Sequence, residues 1–433
     1  MVSREVRADL LVVGGGMAGA MAALAAARRG RRVVVARRAP GATALSSGAI
    51  SVAPDPGALP GAPLASRRPP VEAAARLAVA RREHPYAVAG VARLAEALAF
   101  AAAELPAVLA PVEDRRRFLA TPYGSAVGAG LCQRANVAGD LLSVRGALVV
   151  AGFRGHAAFD APLVAAGLAR YRHRGGPELR AVELHLPLGA GPLARPHELA
   201  RALDAPGGAE ALGDALRTAL PAGAGAVLLP PVLGLDPAAC AADRVAARAG
   251  IAVAETLSDV PSVPGLRLHR ALEARLAAAG ALVLQGDVAA PPEPGAAVAV
   301  GDATVIAPTW ILATGRFVGG GIARRGVLAE PALRLPVQAA EGREAGVHLA
   351  GRPTASLTVR DRREPQPLLS AGLRVDAALR PVDERGRVVH PRLLAAGAVV
   401  GGHEQATDGP GLGVAILTGF LAGEAAAEEG AHG

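Results

Sequence analysis

Near its start the sequence reads Asp9–Leu10–Leu11–Val12–Val13–Gly14–Gly15–Gly16–Met17–Ala18–Gly19, an apolar run that leads into a glycine turn and an alanine-rich segment. The run predicts a buried strand and the alanine-rich segment a helix. Gly14 permits a sharp turn, Gly16 leaves room for a phosphate beside backbone N–H groups, and Gly19 lets the helix lie close to the sheet. The helix dipole favours an anion there. These features predict a dinucleotide- or flavin-binding βαβ unit that contacts its cofactor through Gly14, Gly15, Gly16, Met17, Ala18 and Gly19.

The second strand of this unit ends in an unusual way. It is predicted over Arg32–Ala36, after a helix that runs to about Gly30. In the usual pattern a carboxylate stands about 20 residues after the glycines and accepts hydrogen bonds from an adenosine ribose. Here Arg37 and Arg38 follow, and arginine pairs with phosphate but cannot accept from a hydroxyl. Three ligands stay open at this point: NADP through its 2′-phosphate, FMN without an adenosine ribose, and FAD held without that carboxylate.

Composition limits the class of protein. The 433 residues are 51% hydrophobic, so the chain has enough apolar material for a large core and more than one domain. Aromatic residues make up only 2% and no nucleic-acid-binding motif is present, so the net charge of +8 does not indicate nucleic acid as a partner. All 46 basic residues are arginine, which excludes Schiff-base chemistry on lysine.

Cysteine spacing and apolar segments indicate the compartment. Cys132 and Cys240 lie far apart and outside any Cys-x-x-Cys pattern, so no iron–sulfur cluster, structural zinc or disulfide framework is expected. A reducing cytosol is the natural environment. The first apolar run belongs to the glycine turn and not to a signal peptide, and the stretch from Gly411 to Gly423 is too short to span a bilayer. We therefore expect any contact with a membrane to be peripheral or through a partner.

Small-residue turns recur later in the chain. One follows the second predicted strand at Thr43–Gly48, and another ends a strand at Ala313–Thr314–Gly315, where flavoproteins with two dinucleotide-binding domains place the cofactor. A last strand reaches Gly397, and Gly409–Gly413 opens a final helix whose free N–H groups face the site. The candidate cofactor contacts outside the first turn are Arg37, Ser46, Ser47, Gly48, Thr314, Gly315, Gly397 and Gly413.

The order of these elements predicts an α/β fold: a Rossmann-like flavin-binding domain of the two-dinucleotide-binding-domain type, discontinuous in sequence, with an inserted α/β cap domain. Strands near residues 147–150, 179–186 and 226–229 form the insert, and a proline-rich exposed connector is predicted over residues 53–70. We assign residues 1–52, 262–330 and 385–433 to the flavin domain. Residues 53–261 and 331–384 are assigned to the inserted cap or partner-docking domain.

Motifs outside the glycine turn narrow the family. They are Leu45–Gly48, His84–Pro85–Tyr86, Thr121–Pro122, Leu148–Gly152 with Phe159–Asp160, Leu229–Pro231, Pro261–Leu268, Ala313–Gly315, Leu379–Pro381 and Leu394–Gly402. With these motifs the chain resembles the B subunit of anaerobic glycerol-3-phosphate dehydrogenase across nearly its whole length.

The resemblance implies a flavin subunit that holds FMN, with FAD as the alternative. It also implies two partners: an FAD-containing catalytic A subunit, which oxidises glycerol 3-phosphate to dihydroxyacetone phosphate, and an iron–sulfur C subunit, which anchors the complex to the membrane. The chain is then expected in the cytoplasm at the inner face of the cell membrane. Electrons would pass toward quinone and an anaerobic acceptor such as fumarate.

Three other functions stay open. The chain resembles fumarate-reductase-like flavoproteins enough to be a self-contained FAD-dependent dehydrogenase or reductase, with His403 and Arg316 as candidate acid–base groups. A structural or assembly subunit that has lost its cofactor is a second possibility. Arg37 and Arg38 motivate the third, an NADP-only enzyme.

Overall fold

The computed structural model describes residues 4–54, 69–185, 194–288, 293–325, 327–341, 344–348, 354–361, 364, 366–404, 409 and 411–429. Its strands are β1 (Arg4–Arg7), β2 (Leu10–Val13), β3 (Val33–Arg37), β4 (Ala49–Ile50), β5 (Arg117–Ala120), β6 (Ala126–Ala129), β7 (Leu131–Cys132), β8 (Ala147–Phe153), β9 (Glu178–Leu184), β10 (Ala224–Leu229), β11 (Ala252–Glu255), β12 (Leu282–Gln285), β13 (Ala297–Val300), β14 (Ala303–Ile306), β15 (Thr309–Leu312), β16 (Ala323–Arg325), β17 (Val327–Glu330), β18 (Leu335–Pro336), β19 (Gln338–Glu341), β20 (Glu344–His348) and β21 (Leu393–Ala395). The α-helices are α1 (Met17–Arg28), α2 (Pro70–Ala80), α3 (Pro85–Val88), α4 (Leu94–Glu104), α5 (Arg134–Val137), α6 (Ala161–Ala169), α7 (Pro196–Asp204), α8 (Gly208–Ala219), α9 (Ala241–Ala249), α10 (Val263–Ala278), α11 (Pro367–Ser370) and α12 (Leu412–Glu429). Most of the predicted connector, residues 55–68, lies outside the described residues.

A five-stranded parallel sheet forms the centre of the fold, in the order β12–β3–β2–β15–β21. All four residues of β2 and of β15 are buried, as expected for apolar strands that are covered on both faces. Its strands come from distant parts of the chain, so the prediction of a discontinuous Rossmann-like α/β fold is confirmed. Apart from this sheet, β13 and β14 form an antiparallel pair, and β1 lies parallel to β14.

Helices α1 and α12 pack together through very small residues. A Cβ on Gly419 would lie 2.3 Å from the carbonyl oxygen of Ala18, and one on Gly423 would lie 2.3 Å from that of Ala22. Such distances are shorter than any real carbon–oxygen contact, so only glycine allows this approach. The alanine-rich face of α1 thereby gains buried contact area from backbone packing, which its short side chains cannot supply.

A second parallel sheet occupies the middle of the chain, in the order β11–β10–β8–β9. Apolar residues of α7, α8 and α9 pack against one face of this sheet, where they meet Phe153 of β8 and Val227 of β10. Apolar residues of α6 pack against the other face, where they meet Val150 of β8 and Leu228 of β10. The middle of the chain is therefore an α/β unit wound on both faces of its own sheet.

The helices between residues 70 and 104 pack with the central sheet. Leu77 of α2, Tyr86 of α3 and Leu98 of α4 belong to the same hydrophobic core as the five-stranded sheet. Because core residues define the unit that folds together, we propose that the inserted domain begins near residue 110. The remaining boundaries stay predictions.

Candidate cofactor site at the carboxyl ends of the central strands

Three glycine-containing turns meet where the central strands end. A Cβ on Gly14, which has φ +122°, would lie 2.1 Å from the carbonyl oxygen of Ala313. A Cβ on Gly397, which has φ +76°, would lie 2.6 Å from the Cβ of Ala18. The ends of β2, β15 and β21 thus lie together around the start of α1, although β2 is far from the other two strands in the sequence.

The start of α1 offers backbone donors to an anion. The N–H groups of Gly15, Gly16 and Ala18 donate to no acceptor among the described residues. The first turn of the helix carries no acidic side chain that would compete with a bound anion. Free N–H groups at the positive end of a 12-residue helix form a binding site for phosphate.

Thr43 completes this turn and is not among the predicted site residues. Its Oγ1 accepts from the N–H of Met17 at 2.8 Å, and its side chain is buried. Gly41, in the same loop, packs its Cα side against the Cα of Gly16. The signal that could have indicated Thr43 is a hydroxyl residue in the loop after the second strand, at a position that only the folded chain places beside the glycines.

Each carbonyl group of the loop at Ser46–Gly48 accepts a hydrogen bond from another part of the chain. The carbonyl of Ser46 accepts from Ser262 Oγ at 2.5 Å, that of Ser47 from Ser258 N at 3.0 Å, and that of Gly48 from Gln133 N at 3.2 Å. Because a trans peptide sets each N–H opposite the preceding C=O, the N–H groups of Ser47 and Gly48 point the other way. Neither donates to an acceptor among the described residues.

Two buried hydroxyl groups near these turns have no hydrogen-bond partner among the described residues. They are Ser46 Oγ and Thr314 Oγ1. Thr314 lies two residues after the end of β15, and its backbone N lies 3.0 Å from the position of a Cβ on Gly14. Buried polar atoms are normally satisfied in folded proteins, so these two indicate a ligand or ordered water at the site.

At Gly397 and Gly413, neighbouring protein atoms leave no room for a side chain. The N–H of Gly397 donates to Thr418 Oγ1 at 2.8 Å. A Cβ on Gly413 would lie 2.5 Å from the Tyr86 hydroxyl oxygen and 3.2 Å from the carbonyl oxygen of Ser51. Contact of these two glycines with a cofactor stays a prediction, as it does for Gly315, which has φ +75° in the turn after Thr314.

The two arginines at the end of β3, Arg37 and Arg38, are already paired. Arg37 passes over Gly15, whose Cβ would lie 2.7 Å from the arginine Cδ, and its guanidinium forms an ion pair with Glu273. Arg38 lies 3.4 Å from a carboxylate oxygen of Asp287. Since both charges are partly neutralised, the arrangement gives no separate support to an NADP 2′-phosphate site.

Arg316 binds backbone carbonyl groups of three segments. It donates to Ala398 O at 3.2 Å, to His403 O at 3.0 Å and to Leu369 O. These contacts hold the turn after β21 against the loop that contains α11. Arg316 therefore acts as a structural clamp in this arrangement, and its proposed acid–base role stays a prediction.

His403 is buried beside a second histidine. Its ring centroid lies 5.9 Å from that of His84, and both residues are almost completely buried. Burial, and then the charges of Arg316, His84 and Arg81, hold the pKa of His403 well below its usual range. Burial also lowers the pKa of His84 to about 3. Both imidazoles are neutral at pH 7, so His403 lacks the solvent-exposed, titrating character of a typical acid–base histidine.

Neither a metal centre nor a membrane-crossing helix is found among the described residues. No group of three or more His, Cys, Asp or Glu side chains in that part of the chain is placed to hold a metal ion. Among the helices of the same ranges, none combines the length and the apolar character that crossing a membrane requires.

A parallel sheet with a glycine turn, free amides and a helix start defines a nucleotide-cofactor-binding protein. The model of the FAD binding domain family matches residues 9–414. The chain is 31% identical to the B subunit of the probable anaerobic glycerol-3-phosphate dehydrogenase of Halobacterium salinarum, with 98% of each chain covered. It is 30% identical to the B subunit of the anaerobic glycerol-3-phosphate dehydrogenase of Pectobacterium carotovorum, over 98% of this chain and 100% of that one.

The chain belongs to the FAD binding domain family and, within it, to the group of anaerobic glycerol-3-phosphate dehydrogenase B subunits. Among solved structures it is similar to the 3-ketosteroid Δ1-dehydrogenase of Sterolibacterium denitrificans, at 13% identity and a TM-score of 0.42, with 98% of this chain and 100% of that chain covered. The family model names FAD, which is the alternative cofactor of the sequence-based prediction, and gives no support to FMN as the first choice.

Substituting Gly14 should destabilise the fold more than substituting Gly30. Both glycines have a positive φ, but only Gly14 has other atoms where a side chain would go. Gly14→Ala places a methyl group against Ala313 O, whereas Gly30→Ala at φ +76° meets nothing within 4 Å. We expect Gly30→Ala to lose about 1 kcal/mol of unfolding free energy from the positive φ alone, and Gly14→Ala about 3 kcal/mol or more. Urea unfolding of both variants measures the difference, and equal losses would contradict the steric role of Gly14.

Stability should decrease below neutral pH because of the two buried histidines. The folded state excludes a proton from His84 and His403, while the unfolded chain binds it below a pKa of about 6.5. Their contribution is therefore complete above pH 6.5 and is lost as the pH falls, by about 1.4 kcal/mol per pH unit for each imidazole. Urea unfolding between pH 7.5 and pH 5 measures this slope.

His84→Asn/His403→Asn should flatten that slope. His390→Asn is the control, because Nδ1 of His390 accepts a backbone N–H two residues on at 3.1 Å, as Nδ1 of His84 does. A slope that is equally steep in the double variant and the wild type would show that other groups cause it.

Proposed function

We propose that this chain is the flavin-bearing B subunit of an anaerobic glycerol-3-phosphate dehydrogenase complex. It would pass electrons from the oxidation of glycerol 3-phosphate to dihydroxyacetone phosphate toward quinone and fumarate. The observation that carries the proposal is the set of polar groups around Gly14–Gly19 and Ser46–Gly48 that donate to no acceptor among the described residues. The names of the relatives support the substrate and membership of a multi-subunit enzyme.

The residues of the site divide into two groups by what they offer. The amides of Gly15, Gly16 and Ala18 bind the phosphate portion at the positive end of α1. The amides of Ser47 and Gly48, with the hydroxyl of Thr314, offer hydrogen bonds to the ring. A bound flavin supplies two-electron and one-electron transfer at one group. Donors fixed in a buried position stabilise negative charge that develops on a reduced ring.

The proposed cofactor is FAD, with FMN as the alternative. The family supports FAD. The usual ribose acceptor is replaced by Arg37, whose guanidinium is held by Glu273, and this replacement is the argument for FMN. Mass spectrometry of flavin released from the purified protein distinguishes the two, because they differ by an adenosine monophosphate unit.

The proposed partners are an FAD-containing catalytic A subunit and an iron–sulfur C subunit that anchors the complex. The chain would then lie in the cytoplasm at the inner face of the membrane and touch the membrane only through the iron–sulfur partner. Names of relatives that specify a B subunit support the existence of other subunits.

We assign substrate oxidation to the catalytic partner, because neither candidate acid–base group of this chain is placed to exchange a proton with a substrate. Arg316 is engaged by backbone carbonyls, and His403 is buried and neutral. We expect the isolated chain to carry flavin, to lack glycerol 3-phosphate turnover, and to support turnover after its partners are added. Turnover by the isolated chain that His403→Ala abolishes would instead establish the self-contained dehydrogenase.

Thr43 should contribute to cofactor affinity. Thr43→Val keeps the shape but removes both the acceptor for Met17 N–H and a hydroxyl that donates to no described residue. We expect flavin to bind about tenfold more weakly, as for loss of a hydrogen bond beside a charged group. Fluorescence titration of the apoprotein measures this, with Thr43→Ser as the control that retains wild-type affinity. Equal affinity in Thr43→Val and wild type would remove Thr43 from the site.

A further inference from the structure

Consecutive carbonyl groups of the Ser46–Gly48 loop are each held by a residue from another part of the chain. Ser262 and Ser258 hold the first two, and the backbone N–H of Gln133 holds the third. A peptide group is planar, so fixing its C=O also fixes the direction of the following N–H. The contacts from Ser262 and Ser258 therefore set the direction of the free Ser47 and Gly48 amides, and the contact from Gln133 holds the peptide group that follows Gly48 at the end of the loop.

Gln133 joins this loop to helix α10. Its side-chain Nε2 donates to Pro264 O at 2.7 Å, and its Oε1 accepts from Arg267 Nη1 at 3.0 Å. The residue is 1% exposed, so both bonds are made away from water. One buried side chain thus connects the segment that binds Gly48 with the first turn of the helix that Ser262 caps.

Arg267 of α10 and Glu255 of the insert together support Gln133. Arg267 donates to Gly234 O at 2.8 Å and pairs with both carboxylate oxygens of Glu255, at 2.7 and 3.2 Å. Glu255 ends strand β11, and its carboxylate also accepts from Leu233 N at 2.8 Å. A buried ion pair with all these bonds made is rigid, because breaking any one leaves a charge or polar group unpaired.

We propose that Gln133 is a positioning residue that, supported by Arg267 and Glu255, aims the Ser47 and Gly48 amides at the flavin ring and so sets its affinity and reduction potential. The inference rests on the proposed flavin function. It adds that the insert, through the end of its own sheet, fixes donors in the cofactor site. Donors aligned with the ring stabilise the reduced, more negative state, so a misdirected loop makes the potential more negative.

Gln133→Met tests the proposal, with Gln366→Met as the matched control. Both glutamines are buried and both bind backbone groups through their side chains, but the side chain of Gln366 binds its own loop, at Val359 N, Asp361 O and Glu364 O. We expect Gln133→Met to bind flavin about tenfold more weakly and to show a more negative potential by spectroelectrochemistry. Gln366→Met should retain the wild-type values of both.

Gln133→Glu provides a second variant that preserves shape and the acceptor for Arg267 while losing the donor to Pro264. It should shift affinity and potential in the same direction, and it replaces Gln133→Met if that protein does not accumulate. Loss of thermal stability in either Gln133 variant with unchanged affinity and potential would reduce Gln133 to a structural residue and overturn the proposal. Wild-type protein that carries no flavin and takes up none on reconstitution would overturn the proposed function itself.

Discussion

The candidate cofactor site depends on close contacts between backbone groups at glycine positions, where a side chain would not fit. Gly14 lies against the carbonyl of Ala313, and a Cβ on Gly19 would lie 1.9 Å from the carbonyl oxygen of Gly14. These contacts bring β2, β15 and the start of α1 into one compact edge. The free amides of the turn exist because the chain is folded this tightly, with no side chain between the backbone and a ligand.

Many arginine side chains of this protein form ion pairs with carboxylates of the same chain. Glu104, which is buried, pairs with Arg28 of α1 and with Arg275 of α10, and so ties three helices together. Arg267 links the insert to α10 in a similar way. The excess of arginine in the sequence is therefore poor evidence for an anionic partner, since many of these residues hold elements of the fold together.

The insert is an α/β unit with its own sheet. One edge of it contacts the Ser46–Gly48 loop. Thr256 and Leu257, which follow β11, donate to Leu229 O and Ala120 O, and Ser258 then reaches Ser47. The end of the insert sheet is thus continuous with the segment that orients the loop.

The strand, glycine turn and helix at Leu10–Arg28 could be predicted because their signals are local in the sequence. An apolar run, a group of glycines and an alanine-rich segment follow one another there. The later turn at Thr314 and the family were accessible for the same reason. The pairing of Arg37 with Glu273 joins residues 236 positions apart, and Gln133 meets Arg267 over 134 positions. No local pattern encodes such contacts, since they follow from how whole elements pack. The order of the motifs thus defined a flavin-type fold, whereas packing fixed the direction of the Ser46–Gly48 amides, the engagement of Arg316 and the burial of His403, because each depends on neighbours supplied by distant parts of the chain.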